Sequence, residues 1–183
     1  MPAPTRTPRE AWIDKGLRAL GAAGPDAVRV DALARELGVT RGGFYWHFGN
    51  RAELMDAILD HWEAVSVDDV IARVDAGGDD PRERLRRLFD LTAEHPQTLA
   101  VDLAVRDWAR RDEAVARRLR RVDNRRMDYL REQFSGFVAD PDEVEARSLT
   151  VASLWIGQHF FAAEHPGRGR ARVVEHVLRG LLD

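Results

Sequence analysis

Apolar residues recur three or four positions apart along almost the whole chain, and no segment shows a sustained two-residue alternation closed by hairpin turns. Such spacing gives each segment one dry and one wet side only when it is coiled as a helix, so the predicted fold is all-α. Proline and glycine then cut the chain into about nine helices. The cuts fall at Gly24-Pro25, Gly77-Gly78-Asp79-Asp80-Pro81, His95-Pro96, the region near Arg111-Asp112, Ala139-Asp140-Pro141 and His165-Pro166-Gly167. Thr7-Pro8-Arg9-Glu10 opens the first helix, Pro8 to Ala23, with a capping hydroxyl, a proline in the first turn and a glutamate. Ile13, Leu17 and Leu20 form its expected buried stripe. Further helices are predicted from Val30 to Leu37, from Arg41 to Phe48 and from just after Asn50, where Asn50-Arg51-Ala52-Glu53 repeats the capping pattern.

With 183 residues, 44% hydrophobic and 32% charged, the chain has material for a real core in one or two domains. It contains no cysteine, which excludes disulfides, thiolate metal sites and cysteine nucleophiles. No apolar run has the length of a membrane span, and Met1-Pro2-Ala3-Pro4-Thr5-Arg6-Thr7 lacks the apolar core of a signal peptide, so a cytoplasmic location is expected. The net charge of −3 is uneven: the first fifty residues carry seven Lys/Arg against five Asp/Glu, and the remainder is net acidic. A polyanionic partner is therefore expected to meet the first part of the chain.

Residues 28 to 51 carry the functional signal. A short helix holding Leu33, Ala34 and Leu37 stops at Gly38, which suits the left-handed turn conformation, and Thr40 is placed to cap the next helix. Two helices joined by a short glycine-containing turn form the helix-turn-helix pattern, whose second helix enters the major groove of DNA. Gly42 and Gly43 sit in the first turn of that helix, although glycine is disfavoured in a helix by up to about 1 kcal/mol relative to alanine. Their missing side chains permit close approach to phosphates. Phe44 and Phe48, one turn apart, are expected to face the core, leaving Arg41, Tyr45, Trp46 and His47 outward. All four donate hydrogen bonds, which suits phosphate oxygens and base edges.

The run Leu37-Gly38-Val39-Thr40-Arg41-Gly42-Gly43-Phe44-Tyr45-Trp46-His47-Phe48, followed by Asn50-Arg51 and Leu54, resembles the DNA-binding domain of the TetR family of transcriptional regulators. The resemblance covers about residues 9 to 58. It implies two domains, a helix-turn-helix DNA-binding domain over residues 1–50 and an all-α effector-binding and dimerisation domain over 51–183. It also implies that Arg41 and Tyr45 face base edges or adjacent phosphates, with Gly42 and Gly43 allowing close approach. Thr40, Trp46, His47, Arg51 and Arg29 would hold the duplex backbone. The sequence departs from the common pattern at Gly43, where Ser or Thr is frequent, at Gly49, where lysine is frequent, and at Arg29, where a small capping residue is usual.

One reading helix gives little affinity, so such modules act in pairs on half-sites about 34–36 Å apart. A helix predicted from Asp142 to Glu164 and the final helix supply the expected homodimer surface, through Ala152, Ile156, Gly157, Phe160, Val173, Val174, Val177, Leu178 and Leu181, as a four-helix bundle. The family commonly holds a small-molecule effector in its middle helices. The residues available to line that cavity are Trp62, Phe89, Leu99, Leu103, Trp108, Met127, Leu130, Phe134 and Trp155, with Asp102 and His159 as polar contacts. Any of them serves equally well as plain core. The resemblance thus implies a repressor that binds a near-palindromic double-stranded operator and is released by a small apolar or aromatic effector, the helix after Asn50 acting as the lever.

Other signals point less far. Residues 106 to 126 hold nine arginines and four acids, spaced for intrahelical ion pairs. Asp56, Asp60, His61 and Glu63 crowd one helix, but His61 lies off the face of Asp56 and Asp60, so a solvated acidic surface is expected and no metal site. No catalytic motif or cofactor loop occurs, so neither an enzyme nor a bound cofactor is expected. The alternative is an all-α small-molecule carrier or enzyme whose helix-turn-helix is incidental.

Overall fold

The computed structural model describes residues 7–93 and 96–183. Its α-helices are α1 (Arg9–Ala23), α2 (Val30–Glu36), α3 (Arg41–Phe44), α4 (Arg51–Glu63), α5 (Asp69–Asp75), α6 (Pro81–Ala93), α7 (Pro96–Ala109), α8 (Glu113–Ser135), α9 (Pro141–Gly157) and α10 (Arg170–Gly180). A 3-10 turn occupies Pro25–Ala27, and a π turn, Ala64–Asp68, runs α4 into α5 without a break. The helices therefore make nine continuous rods, and no strand occurs among the described residues. None of the described helices is long and apolar enough to cross a membrane.

The punctuation works largely as its chemistry dictates. Gly24 and Gly38 take φ of 78° and 67° where α1 and α2 end, a region that other residues reach only with strain. Asn50 Oδ1 accepts from Glu53 N at 3.0 Å, and the Glu53 carboxylate turns back to accept from Gly49 N at 2.7 Å. Asp112 caps α8 by accepting from Ala114 N and Val115 N, which sets the break that neither proline nor glycine marks.

Several expected boundaries move. Pro8, not Thr7, caps α1, and neither it nor Thr40 at α3 supplies a side-chain cap bond. α3 is one α-turn long, and beyond Phe44 the chain tightens through bonds from His47 N and Phe48 N to the Phe44 carbonyl. Two glycines and an aromatic run are poor helix formers, which accounts for the shortening. α9 ends at Gly157, so Phe160 and Phe161 lie beyond it and not within a helix reaching Glu164. There Arg170 Nη1 donates to the Gln158 carbonyl at 2.7 Å and Nη2 to Ala163 at 2.6 Å, satisfying acceptors that a longer helix would have used. His95 of the expected His95-Pro96 boundary, and residues 1–6 of the start that lacks a signal peptide, lie outside the described residues.

The described residues group into two compact units, one drawn from 1–68 and 95–121, the other from 69–94 and 122–183. In the first, α1 packs against α4 and α7. Trp12, Leu20, Val28, Leu54 and Ile58 are fully buried there. Gly16 makes the α1–α4 approach possible, since a Cβ at that position would overlap Ile58 Cδ1. A Cβ on Gly21 would lie 3.2 Å from the backbone nitrogen of Val101 in α7. The second unit closes around Leu85, Leu130, Phe134, Val144, Val151 and Leu182. Within it Tyr129 Oη donates to Asp75 at 2.8 Å, and Arg82 Nε and Arg147 Nη1 donate to the carbonyls of Leu182 and Leu181 at 2.8 and 2.6 Å.

Candidate nucleic-acid interface

The exposed turn after Gly38 rests on an aromatic base. Phe44 and Phe48 are buried and stack with ring centroids 5.3 Å apart, while Trp12 of α1 meets Phe44 edge-on at 5.4 Å. The Arg9 guanidinium covers Phe48 from 4.8 Å. With the inner side held, the outer side is fixed by helical geometry: Arg41 and Gly42 are exposed, and Tyr45 and Trp46 keep 54% and 71% of their surface in solvent. Arg41 Nη2 donates to Tyr45 Oη at 3.5 Å, and its Nε lies 3.4 Å from Asp31. Tyr45 first and Asp31 second push the guanidinium pKa further upward, so this head stays cationic.

Nothing inside the fold demands glycine at the two positions that open α3. Neither Gly42 nor Gly43 has a positive φ. A Cβ on Gly42 would meet only Thr40 Oγ1 at 3.6 Å, and one on Gly43 would sit 3.9–4.0 Å from Val39 and Trp12, ordinary contacts. Gly42 is exposed and leaves clearance on the outer surface at the expense of helix stability, whereas Gly43 is half-buried on the side of Val39 and Trp12.

The structure divides the other expected contacts. Thr40 and Arg29 are exposed, Arg29 at the cap position of α2. His47 is half-buried and its Nε2 donates to the Thr7 carbonyl at 2.8 Å, which selects the Nε2–H tautomer. Arg51 is exposed but folds back along the surface, Nε donating to the Val28 carbonyl at 2.7 Å and Nη2 to that of Pro25. Sequence reasoning missed Asp31 as a neighbour of Arg41, because ten residues and a turn separate them and no helical periodicity links the two.

The expected effector-lining residues fall in both units. In the first, Trp62 is buried with its indole N–H unpartnered among the described residues, Asp102 is fully buried and paired to Arg106 Nε at 2.9 Å, and Leu99, Leu103 and Trp108 are half-buried. In the second, Leu130 and Phe134 belong to the core, with Phe89 and Met127 packed against it. Trp155 lies under the Arg126 guanidinium at 4.9 Å, and burial followed by the Arg170 charge lowers the pKa of His159. Of the expected pairing surface, Ala152, Leu178 and Leu181 pack on the same core, Ile156, Gly157, Val173 and Val174 are half-buried, and Phe160 and Val177 are exposed. The acidic residues of α4 are gathered by α8: Arg118 Nη1 bonds Asp60 and Glu63 at 2.7 Å each, and Arg121 reaches Glu63 at 3.1 Å. Arg111–Asp107 and Arg117–Glu113 pair along their own segments at 2.7 and 3.1 Å.

This arrangement is that of an all-α helix-turn-helix protein. Residues 13–58 match the model of the bacterial regulatory proteins of the tetR family. Over those residues the chain is similar to the TetR family. Over 57 residues it is 39% identical to the uncharacterized HTH-type transcriptional regulator TtgW of Pseudomonas putida, a match covering 31% of this chain and 42% of that relative. The chain thus spans less than half the length of that relative. The fold is similar to that of a transcriptional regulator from Rhodococcus sp. Rha1, with a TM-score of 0.72, 20% identity and coverage of 96% and 94% of the two chains. It is also similar to AibR, solved in complex with isovaleryl coenzyme A and operator DNA, with a TM-score of 0.66 at 18% identity over 95% of each chain.

Proposed function

We propose that the protein is a transcriptional repressor that binds a near-palindromic DNA operator as a homodimer and is released by a small apolar or aromatic effector. In this reading residues 1–50 form the reading head, and residues 51–183 hold the effector and pair the subunits. The observation that carries it is the outward face of Arg41, Gly42, Tyr45 and Trp46, held on a buried aromatic base and opened by Gly42, a glycine that the fold itself does not need. A permanent cation beside a phenol and an indole suits phosphate and base-edge recognition. The exposed Leu149, Phe160, Phe161 and Val177 support pairing of copies. The buried indole N–H of Trp62 and hydroxyl of Ser66, both unpartnered among the described residues, support an effector that carries a hydrogen-bond acceptor.

The test is selection of genomic fragments by the purified protein, followed by mobility shifts at several salt concentrations. A discrete fragment is expected, with log K falling by roughly 0.9 per phosphate contacted for each decade of salt. Retention of no discrete fragment, or undiminished binding by an Arg41→Ala, Tyr45→Ala double variant, overturns the reading.

A further inference from the structure

We propose that Arg51 is a positioning residue that fastens the start of α4 to the corner between α1 and α2, so that the reading head follows α4, and that it does not serve as a phosphate contact. This deepens the regulator reading and rests on it. The guanidinium is a flat fork with donors along its edge. Here one donor, Nε, meets the Val28 carbonyl at 2.7 Å and another, Nη2, meets that of Pro25. Both acceptors belong to the corner made by Gly24 and the 3-10 turn Pro25–Ala27, twenty-three and twenty-six residues upstream. The Val28 carbonyl lies before the first hydrogen bond of α2, which runs from Leu33 N to the Arg29 carbonyl, so it stands outside that helix's ladder.

Packing joins the same three pieces. The Val28 side chain is fully buried, and the empty side of Gly16 on α1 is filled by Ile58 of α4, with Val28 Cγ1 only 3.8 Å from where a Cβ would be. Apolar contact thus locks α1, the corner and α4 together about two turns into α4, and Arg51 locks them again at its first residue. Phe48, buried under the reading turn, lies three residues before Arg51. Any shift of α4 is therefore handed to the corner through a two-point clamp as well as along the chain.

Lysine separates the two roles. Its single ammonium serves a phosphate as a point charge but cannot span two carbonyls in a fixed plane. In a duplex selected by the wild-type protein, Arg51→Lys and Arg51→Gln are both expected to bind at least about tenfold more weakly while keeping the wild-type slope of log K against log salt. Both are also expected to discriminate less between that duplex and one with a base pair inserted between half-sites. Restored binding in Arg51→Lys, or a slope reduced by roughly 0.9 in Arg51→Gln, overturns the proposal. A second arm needs no DNA: in hydrogen–deuterium exchange Arg51→Lys should lose protection over residues 25–40 and keep it elsewhere. Unchanged exchange there, or an even loss along the whole chain, overturns it too. A wild-type protein that selects no duplex refutes the regulator reading, and the exchange arm still decides the role of Arg51.

Discussion

Two glycines of the first unit answer to opposite demands. Gly16 is required by the interior, because any side chain would press on the buried Ile58, so Gly16→Ala is expected to lower stability by about 1–3 kcal/mol, measured by urea unfolding. Gly42 is required by nothing inside, so Gly42→Ala should raise the stability of the DNA-free protein by up to about 1 kcal/mol and weaken operator binding in a mobility shift. Stabilisation with unchanged binding would remove the case for close approach at this position. The outward and inward sides of the turn were legible in the sequence, because Phe44 and Phe48 stand one helical turn apart and pin everything between them. The duties of His47 and Arg51 were not. Their partners, the carbonyls of Thr7, Pro25 and Val28, are backbone groups 23 to 40 residues away, and a carbonyl has no signature in a sequence.

Helix boundaries are legible only where one side chain or one glycine makes them. Starts are legible where a side-chain acceptor meets bare N–H groups, as at Asn50, Asp112 and Asp140, and not at α1 and α3, where the expected hydroxyl caps of Thr7 and Thr40 do not form. Asn50→Ala is expected to cost about 1 kcal/mol in thermal or denaturant unfolding, since it strips the acceptor from Glu53 N. The end of α9 was hidden because the carbonyl of Gln158, just past it, is taken by Arg170 twelve residues on, while apolar residues continue the helical rhythm past Gly157. That same segment carries a pH dependence. Burial, and then Arg170, lower the pKa of His159 below its ordinary 6.5, so the unfolded chain binds the proton more readily than the folded one. The contribution is complete above pH 6.5 and fades as pH falls toward the lowered value, so stability should rise with pH across that window. His159→Gln should flatten this part of the curve of melting temperature against pH; an unaltered curve would show that the imidazole does not titrate with folding.

At the level of the whole chain, the helical class was legible because every rod carries the same three-to-four periodicity. The division into units was not, since each is assembled from stretches that lie far apart in sequence. Pairing of copies is tested most cleanly at Val177, which keeps 40% of its surface exposed and can lose its apolar character without opening a core. Val177→Glu is expected to shift sedimentation from dimer to monomer and to abolish operator binding while the far-ultraviolet circular dichroism stays helical. A variant that remains dimeric places the subunit contact elsewhere. One habit runs through the molecule: Arg51, Arg82, Arg87, Arg147 and Arg170 all end on main-chain carbonyls. A carbonyl takes up no proton at any physiological acidity and attracts no competing counterion as a carboxylate does. These fastenings should therefore outlast brine or mild vinegar, so that, under the proposed regulator reading, concentrated salt would release the protein from DNA still correctly shaped and ready to rebind on dilution.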